Sequence, residues 1–250
     1  MDSDAGVTLS AEHRAALQSS LIILKRNMNF RRVLFWGKIW VGEDQIRDRK
    51  SIYSINCIDW HLLPPATKAL IDEVAMAAKG RFMGDPSHKY EHETQEQEEG
   101  GQTTKVKVNE EQRLAVTVFT IDNEVAVVPR GAYIKNLQGI AQPNRSFEGL
   151  NPSEAAELSN YLHFSESRKP RKKNIMEMAN LNPSIDFLDP LSEDIPKGSW
   201  IVHFEHGNRV CTIKSLVWQG LTFFNLPMTP WHGYLYMGDG LKNVDLSFML

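Results

Sequence analysis

The sequence predicts an α+β protein in which amphipathic helices pack on largely antiparallel β-sheet. Three observations lead there. Leu17, Leu21, Leu24 and Met28 recur at spacings of four, three and four, an apolar stripe at helical period. Arg31 to Val41 (RRVLFWGKIWV) is dense in aromatic and β-branched residues, the composition of a buried strand. The last fifty residues read as successive strands. WIVHF and RVCTIKSLVW flank the turn Glu205-His206-Gly207-Asn208, and LTFFNL and GYLYMG follow.

Each element has a local reason. Ser10 caps the first helix, Glu12 falls in its first turn where the dipole favours an acid, and the helix ends near Asn27. Gly37 within the first strand marks a bulge or a close backbone approach. Ser51 to Trp60 reads as a second strand. Pro64-Pro65 breaks it and pre-sets a helix to about Ala78, with Leu70, Val74 and Ala77 on its inner face. GRFMGDP and a polar, Glu- and Gln-rich stretch ending at Gly100-Gly101 come next. Too little apolar surface is present to offset ordering, so residues 88–104 are expected to form a mobile acidic loop, opening with one helical turn capped by Ser87.

Leu114 to Ile121 and Glu124 to Val128 alternate on either side of Asp122-Asn123 and predict a hairpin. Pro129-Arg130-Gly131 interrupts it, and Ala132 to Lys135 resumes extended chain. Asn151, Pro152 and Glu154 make a capping box for a further helix, with Ala155, Leu158 and Leu162 facing inward. Arg168 to Lys173 (RKPRKK) is a basic linker, and Asn182-Pro183-Ser184 and Asp189-Pro190 mark turns. The chain thus divides into an α+β region over 1–167, a linker over 168–174 and a β-rich region over 175–250, or forms one continuous domain. No repeat of solenoid period is visible.

Composition narrows the function classes. The 250 residues are 42% hydrophobic and 24% charged, ordinary for a soluble globular protein with a substantial core. A formal charge of −3 supplies no global basic field for nucleic acid or an anionic membrane. The two cysteines, Cys57 and Cys211, sit in apolar strand-like runs and read as buried free thiols in a reducing compartment. The acidic N-terminus has no apolar segment of a signal peptide, and no apolar run is long enough to span a bilayer. The expected location is the cytoplasm.

One string carries possible chemistry. His88, Glu91 and His92 spell H-x-x-E-H, the signature of the inverted zinc hydrolases. On a helix the two histidines would share a face and could hold one metal, with Glu91 as base. The flanks supply no third ligand and no apolar face, so a solvated loop is the competing reading, and no metal is assigned. His13, His61, His163, His203, His206 and His232 show no ligand spacing; His203 reads as a core or rim residue of a strand. RKPRKK could hold an anion, or simply be solvated: no aromatics interleave it, and no nucleic-acid module surrounds it. No G-x-S-x-G, P-loop or G-x-G-x-x-G after a strand occurs. No catalytic residue, cofactor or small-molecule substrate is read from the chain.

Several blocks occur together in order: VLFWGKI at 33–39, YSINC at 53–57, LLPPAT at 62–67, GRFMGDPS at 80–87 and VPRGA at 128–132. NRSFEGL at 144–150, DIPKGSW at 194–200, GLTFFN at 220–225 and DLSFML at 245–250 continue the series. From about Leu17 onward the chain resembles the radial spoke head protein 9 family of motile cilia and flagella. The resemblance implies a non-catalytic subunit of the axonemal radial spoke, whose head faces the central microtubule pair and relays cues that set dynein activity. It also implies neighbours: head proteins 4 and 6, which share the F-W-G-K-I block (here Phe35 to Ile39), head protein 1, and the spoke stalk. It implies no cofactor. The family carries Tyr where His88 stands, which weighs against the metal reading. Relatives also carry a longer segment between F-W-G-K-I and Glu43-Asp44-Gln45. Here Trp40-Val41-Gly42 runs straight into Glu43, so a strand beside Val33 to Trp40 is expected to be missing, leaving a ladder edge uncovered.

Overall fold

In the computed structural model, residues 9–30, 32–39, 42–48, 50–94, 104–165 and 181–249 are described. They form two compact units. One comprises Met1–Thr120 with Tyr236–Leu241, the other Ile121–Leu235 with Lys242–Leu250. The division falls inside a helix, Glu110–Val125, and inside the last strand, His232–Gly238. The expected linker, including Arg168 to Lys173, lies outside the described residues. The class is α+β with mostly antiparallel pairing, as the sequence predicts.

The first unit opens with helix α1 (Ala11–Asn27), capped by Ser10, whose hydroxyl accepts from the His13 N–H at 3.1 Å. Leu17 and Leu24 are buried and Leu21 packs beside them, but Met28, past the helix end, is exposed. The stripe therefore stops one turn early. Strand β1 (Leu34–Ile39) pairs antiparallel with β2 (Gly42–Asp48), β2 with β3 (Lys50–Tyr53), and β3 with the short β4 (His61–Leu62). On its other side β1 runs parallel to Tyr236–Gly238 of the last strand, β14 (His232–Gly238). The place beside β1 that was expected to stand empty is filled by Gly42–Asp48 itself.

Gly37 earns its place by proximity. A Cβ there would lie 1.9 Å from the Tyr236 carbonyl oxygen, and the β1–β2 register shifts on either side of it. Trp36, buried, packs its ring 5.4 Å from that of Tyr236.

The strand expected over Ser51 to Trp60 ends at Tyr53. Asn56 ends it: its carbonyl Oδ1 accepts the Ile58 and Asp59 N–H groups at 2.9 and 2.8 Å, closing a tight loop. Cys57 sits in that loop with φ of 58° and is fully buried, so it is a loop thiol and not a strand residue. Helix α2 (Lys68–Ala77) starts at a Thr67 cap, and Leu70 and Val74 face inward against Val108 and Val116, with Ala77 packed alongside.

The acidic stretch departs from expectation. Strands β5 (Lys89–Thr94) and β6 (Thr104–Asn109) form an antiparallel hairpin, so residues 89–94 are paired strand and neither mobile loop nor helical turn. Residues 95–103 lie outside the described residues. The hairpin has an apolar foothold that the sequence reading missed: Val106 and Val108 on β6 pack on α2.

The predicted hairpin about Asp122-Asn123 is instead helix α3 (Glu110–Val125). Its apolar residues fit both periods. Tertiary packing selects 3.6, since Ala115, Val118, Ile121 and Val125 are all buried. Glu110 and Glu111 sit in its first turn, and the Thr120 hydroxyl donates to the Val116 carbonyl at 2.8 Å.

Arg113 of α3 is buried and donates three hydrogen bonds. Its Nη1 donates to the Arg81 carbonyl (3.1 Å) and to the Tyr90 hydroxyl (2.8 Å), and its Nη2 donates to the Gly80 carbonyl. The guanidinium lies 4.2 Å from the Phe82 ring centroid. Glu110, buried beside it, accepts the Tyr90 hydroxyl at 2.6 Å and the Met83 N–H. This cluster ties GRFM and β5 to α3.

In the second unit, β7 (Val127–Pro129) pairs with β10 (Tyr161–His163), and β8 (Tyr133–Lys135) with β9 (Ala141–Pro143). The Asn151 capping box is complete, but helix α4 spans only Pro152–Ala155. Ala155 is buried as expected, whereas Leu158 lies in a 3-10 turn and Leu162 reaches the core from β10. Strands β11 (Trp200–Glu205), β12 (Val210–Ser215) and β13 (Leu221–Asn225) pair antiparallel in sequence order, and the predicted turn between the first two has positive φ at His206, Gly207 and Asn208.

Three outcomes follow for purified protein in urea denaturation. Gly37→Ala lowers stability by about 2–3 kcal/mol, whereas Gly207→Ala, with open space around the added methyl, costs about 1 kcal/mol for its left-handed backbone. Arg113→Met leaves the Glu110 carboxylate buried without its cation and costs about 3–5 kcal/mol. Burial, and then the Glu111 carboxylate, push the Tyr53 phenol up to about 12. The unfolded phenol ionises near 10, so this contribution is intact below pH 10 and disappears as pH rises to about 12. Burial pushes Tyr161 and Tyr236 up as well, in the same sense. The unfolding midpoint therefore falls steeply across that window, and Tyr53→Phe shallows the fall.

Candidate functional site

The H-x-x-E-H string meets the structure as extended chain. His88 immediately precedes β5, and Glu91 and His92 lie on it. Successive strand residues face opposite sides, so Glu91 points away from the face that His88 and His92 share. Four residues of strand separate those two histidines by roughly 13 Å, against the single turn of helix that the signature requires. His88 packs edge-on against Tyr90 at 4.9 Å, and Glu91, exposed, pairs with Lys107 across the hairpin at 2.7 Å. Among the described residues no three His, Cys, Asp or Glu side chains come together as a metal site.

Two clefts remain. The larger, in the second unit, has a volume of about 490 Å³, and His163, Asp194, Trp200, Glu124 and Lys242 are among its walls. Four of its ionisable side chains meet in two pairs. His163 Nε2 lies 2.9 Å from both Asp194 oxygens, and the Trp200 indole N–H donates to Asp194 at 2.7 Å. Glu124 accepts from Lys242 Nζ at 2.9 Å and from the Trp218 indole N–H at 2.8 Å. The His163–Asp194 pair resembles half of a hydrolytic relay. A relay also needs a nucleophile against the free imidazole nitrogen, and no such hydrogen bond is present among the described residues. His163 shows no ligand spacing in the sequence because its partner Asp194 lies 31 residues away; Asp194 and Trp200 are the two ends of the block DIPKGSW.

The smaller cleft, about 470 Å³, lies in the first unit between α1 and the loop after β3. Ile23, Met28 and Ile58 are exposed along it. Ser20 Oγ and Trp60 Nε1 on its walls are buried without a hydrogen-bond partner. Orphaned buried donors of this kind are uncommon in native structures.

The other singled-out groups serve the fold. Cys211 is fully buried and donates to the Ala155 carbonyl at 3.2 Å; burial pushes its thiol up, away from reactivity. Burial pushes the His232 imidazole down, against the opposing effect of its hydrogen bond to the Pro230 carbonyl. His203 is exposed on β11, so of the two placements expected, core or rim, it takes the rim. Among the described residues no helix is long and apolar enough to cross a membrane.

The blocks quoted from the sequence converge on one structural role. Arg130 of VPRGA grips Asp186 through two bonds, one of them 2.8 Å. Asn144 of NRSFEGL donates to the Gly131 carbonyl at 2.9 Å. Gly149 of the same block passes so close to Thr229 that a Cβ would lie 2.2 Å from its carbonyl oxygen. Together with Gly37, the Arg113 partners and Asp194, these are latches between remote segments of each unit.

No protein-family model matches the chain. It is 58% identical over 261 residues to the radial spoke head protein 9 homolog of Danio rerio, covering 98% of this chain and 94% of that protein. It is 48% identical to the homolog of Bos taurus over 264 residues and 46% identical to that of Homo sapiens over 264, each covering 99% of this chain and 95% of the relative. The alignments are longer than the 250 residues here, so these relatives carry residues that this chain lacks. At these identities, over nearly the whole length, the chain belongs to the radial spoke head protein 9 family.

Proposed function

We propose that this chain is a non-catalytic structural subunit of the radial spoke head in the axoneme of motile cilia and flagella. In this reading it is needed to assemble the head, and it relays signals from the central pair to dynein. The single observation behind it is the identity of 46–58% to radial spoke head protein 9 homologs over nearly the full chain. The site geometry supports it. Four ionisable side chains of the larger cleft meet in two pairs, and the family's sequence blocks are used to lock segments together. A rigid part that holds neighbours in place needs that stiffness, because flexible surfaces lose ordering entropy on assembly. Its neighbours are then the head proteins of the 4 and 6 type, head protein 1 and the stalk, with no metal, cofactor, nucleic acid or small-molecule substrate.

The test is purification of spokes from axonemes that carry a tagged copy. The tagged chain is expected to co-purify with those head proteins in fixed stoichiometry, and its removal is expected to leave spokes without complete heads. Spokes isolated intact without the chain would sink the reading. Metal analysis of the pure protein supplies a second check: stoichiometric zinc that disappears in His88→Ala would contradict the non-catalytic assignment.

A further inference from the structure

Among the described residues, strand β11 is the outermost strand of its sheet and pairs with β12 alone. The Leu216 N–H donates to the Ser199 carbonyl at 2.9 Å, which fixes the phase of the ladder. In the register Ile201↔Lys214, His203↔Thr212 and Glu205↔Val210, the backbone bonds of Ile201, His203 and Glu205 go to β12. The N–H and C=O groups of Trp200, Val202 and Phe204 therefore point away from it. Among the described residues none of these groups has a backbone partner on that side. Natural proteins blunt such an edge with proline, lysine or a bulge. β11 (WIVHFE) has no proline or lysine and keeps an unbroken register. It also exposes Ile201 and His203 on the outer face.

We propose that this edge pairs with β11 of a second copy of the chain, antiparallel about a twofold axis through Val202. A strand that pairs with itself must read well against its own reversal, and this one does. Centred on Val202, Trp200 falls opposite Phe204 and Val202 opposite its own copy, so apolar side chains meet on the inner face. On the outer face Ile201 covers His203, and Glu205 falls opposite Ser199, so no like charges are directly opposed. All three outward residues find bonded partners in this register, whereas a shift by two residues strands one of them. The contact is isologous and closes at two copies. It does not depend on the spoke reading.

Mass measurement by light scattering after gel filtration tests the proposal on the full chain at micromolar to tens of micromolar concentration. The expected result is a dimer. Val202→Pro removes the central outward N–H but leaves β12 undisturbed, so it shifts the equilibrium to monomer by at least tenfold with an unchanged circular dichroism spectrum. Should that variant misfold, treatment of Val202→Cys with a short bifunctional thiol cross-linker decides. A bonded antiparallel pair holds its Cα atoms about 5.5 Å apart, well within the span of such a reagent, and the native Cys57 and Cys211 are buried. Val202→Cys is expected to cross-link to itself, and His206→Cys on the adjacent turn is not. A wild-type chain that is monomeric at every concentration overturns the proposal, whatever else covers the edge. A dimer in which Val202→Cys fails to cross-link overturns it equally.

Discussion

Arg113 enters the interior of the first unit as a permanent cation, and the surrounding chain is arranged around that fact. A buried guanidinium costs several kcal/mol unless its donors and its charge are matched. Here two backbone carbonyls from the Gly80–Arg81 segment, the Tyr90 hydroxyl and the Glu110 carboxylate do the matching, and Phe82 offers its ring face. The same contacts determine where the chain goes. The segment after α2 must present its carbonyls inward, β5 must bring Tyr90 alongside, and α3 must be helical so that Glu110 and Arg113, three residues apart, fall on one face. Burial, then Glu110, hold the Tyr90 phenol above its ordinary range and keep it a neutral donor, with Arg113 opposing them.

The second unit uses the same device with less charge. Asp194 receives His163 and the Trp200 indole, Glu124 receives Lys242 and the Trp218 indole, and Asp122 receives the Tyr234 hydroxyl. Each acid joins segments far apart in the chain. A polar group so used is held in a fixed place. Bonds of this kind are worth more in the interior than at the surface, because water does not compete for them.

Much of the framework was legible in order. The Ser10 and Asn151 caps, the Gly37 approach and the C-terminal hairpin follow from local rules and hold in three dimensions. The failures share a cause. Leu114 to Val128 carries apolar residues compatible with periods of 2 and of 3.6, and only the surfaces that meet Ala115 and Val118 choose between them. Lys89 to Thr94 looks too polar to order, yet it is half of a hairpin whose partner strand supplies Val106 and Val108. The H-x-x-E-H string was legible as letters but not as geometry, since its meaning depends on a helix that does not form there.

What the sequence determined by itself was the local chemistry and the ancestry: caps, turns, the class α+β, and blocks whose joint order places the chain in its family. These signals survive because each resides in a few adjacent residues, or in an order along the chain that needs no folding to be read. Tertiary packing settled which apolar period prevails, which acids meet which donors, and that among the described residues β11 ends its sheet with open backbone groups. Those are decided by pairs of residues dozens of positions apart, and the loop-closure and packing energies that select them cannot be read from either partner alone.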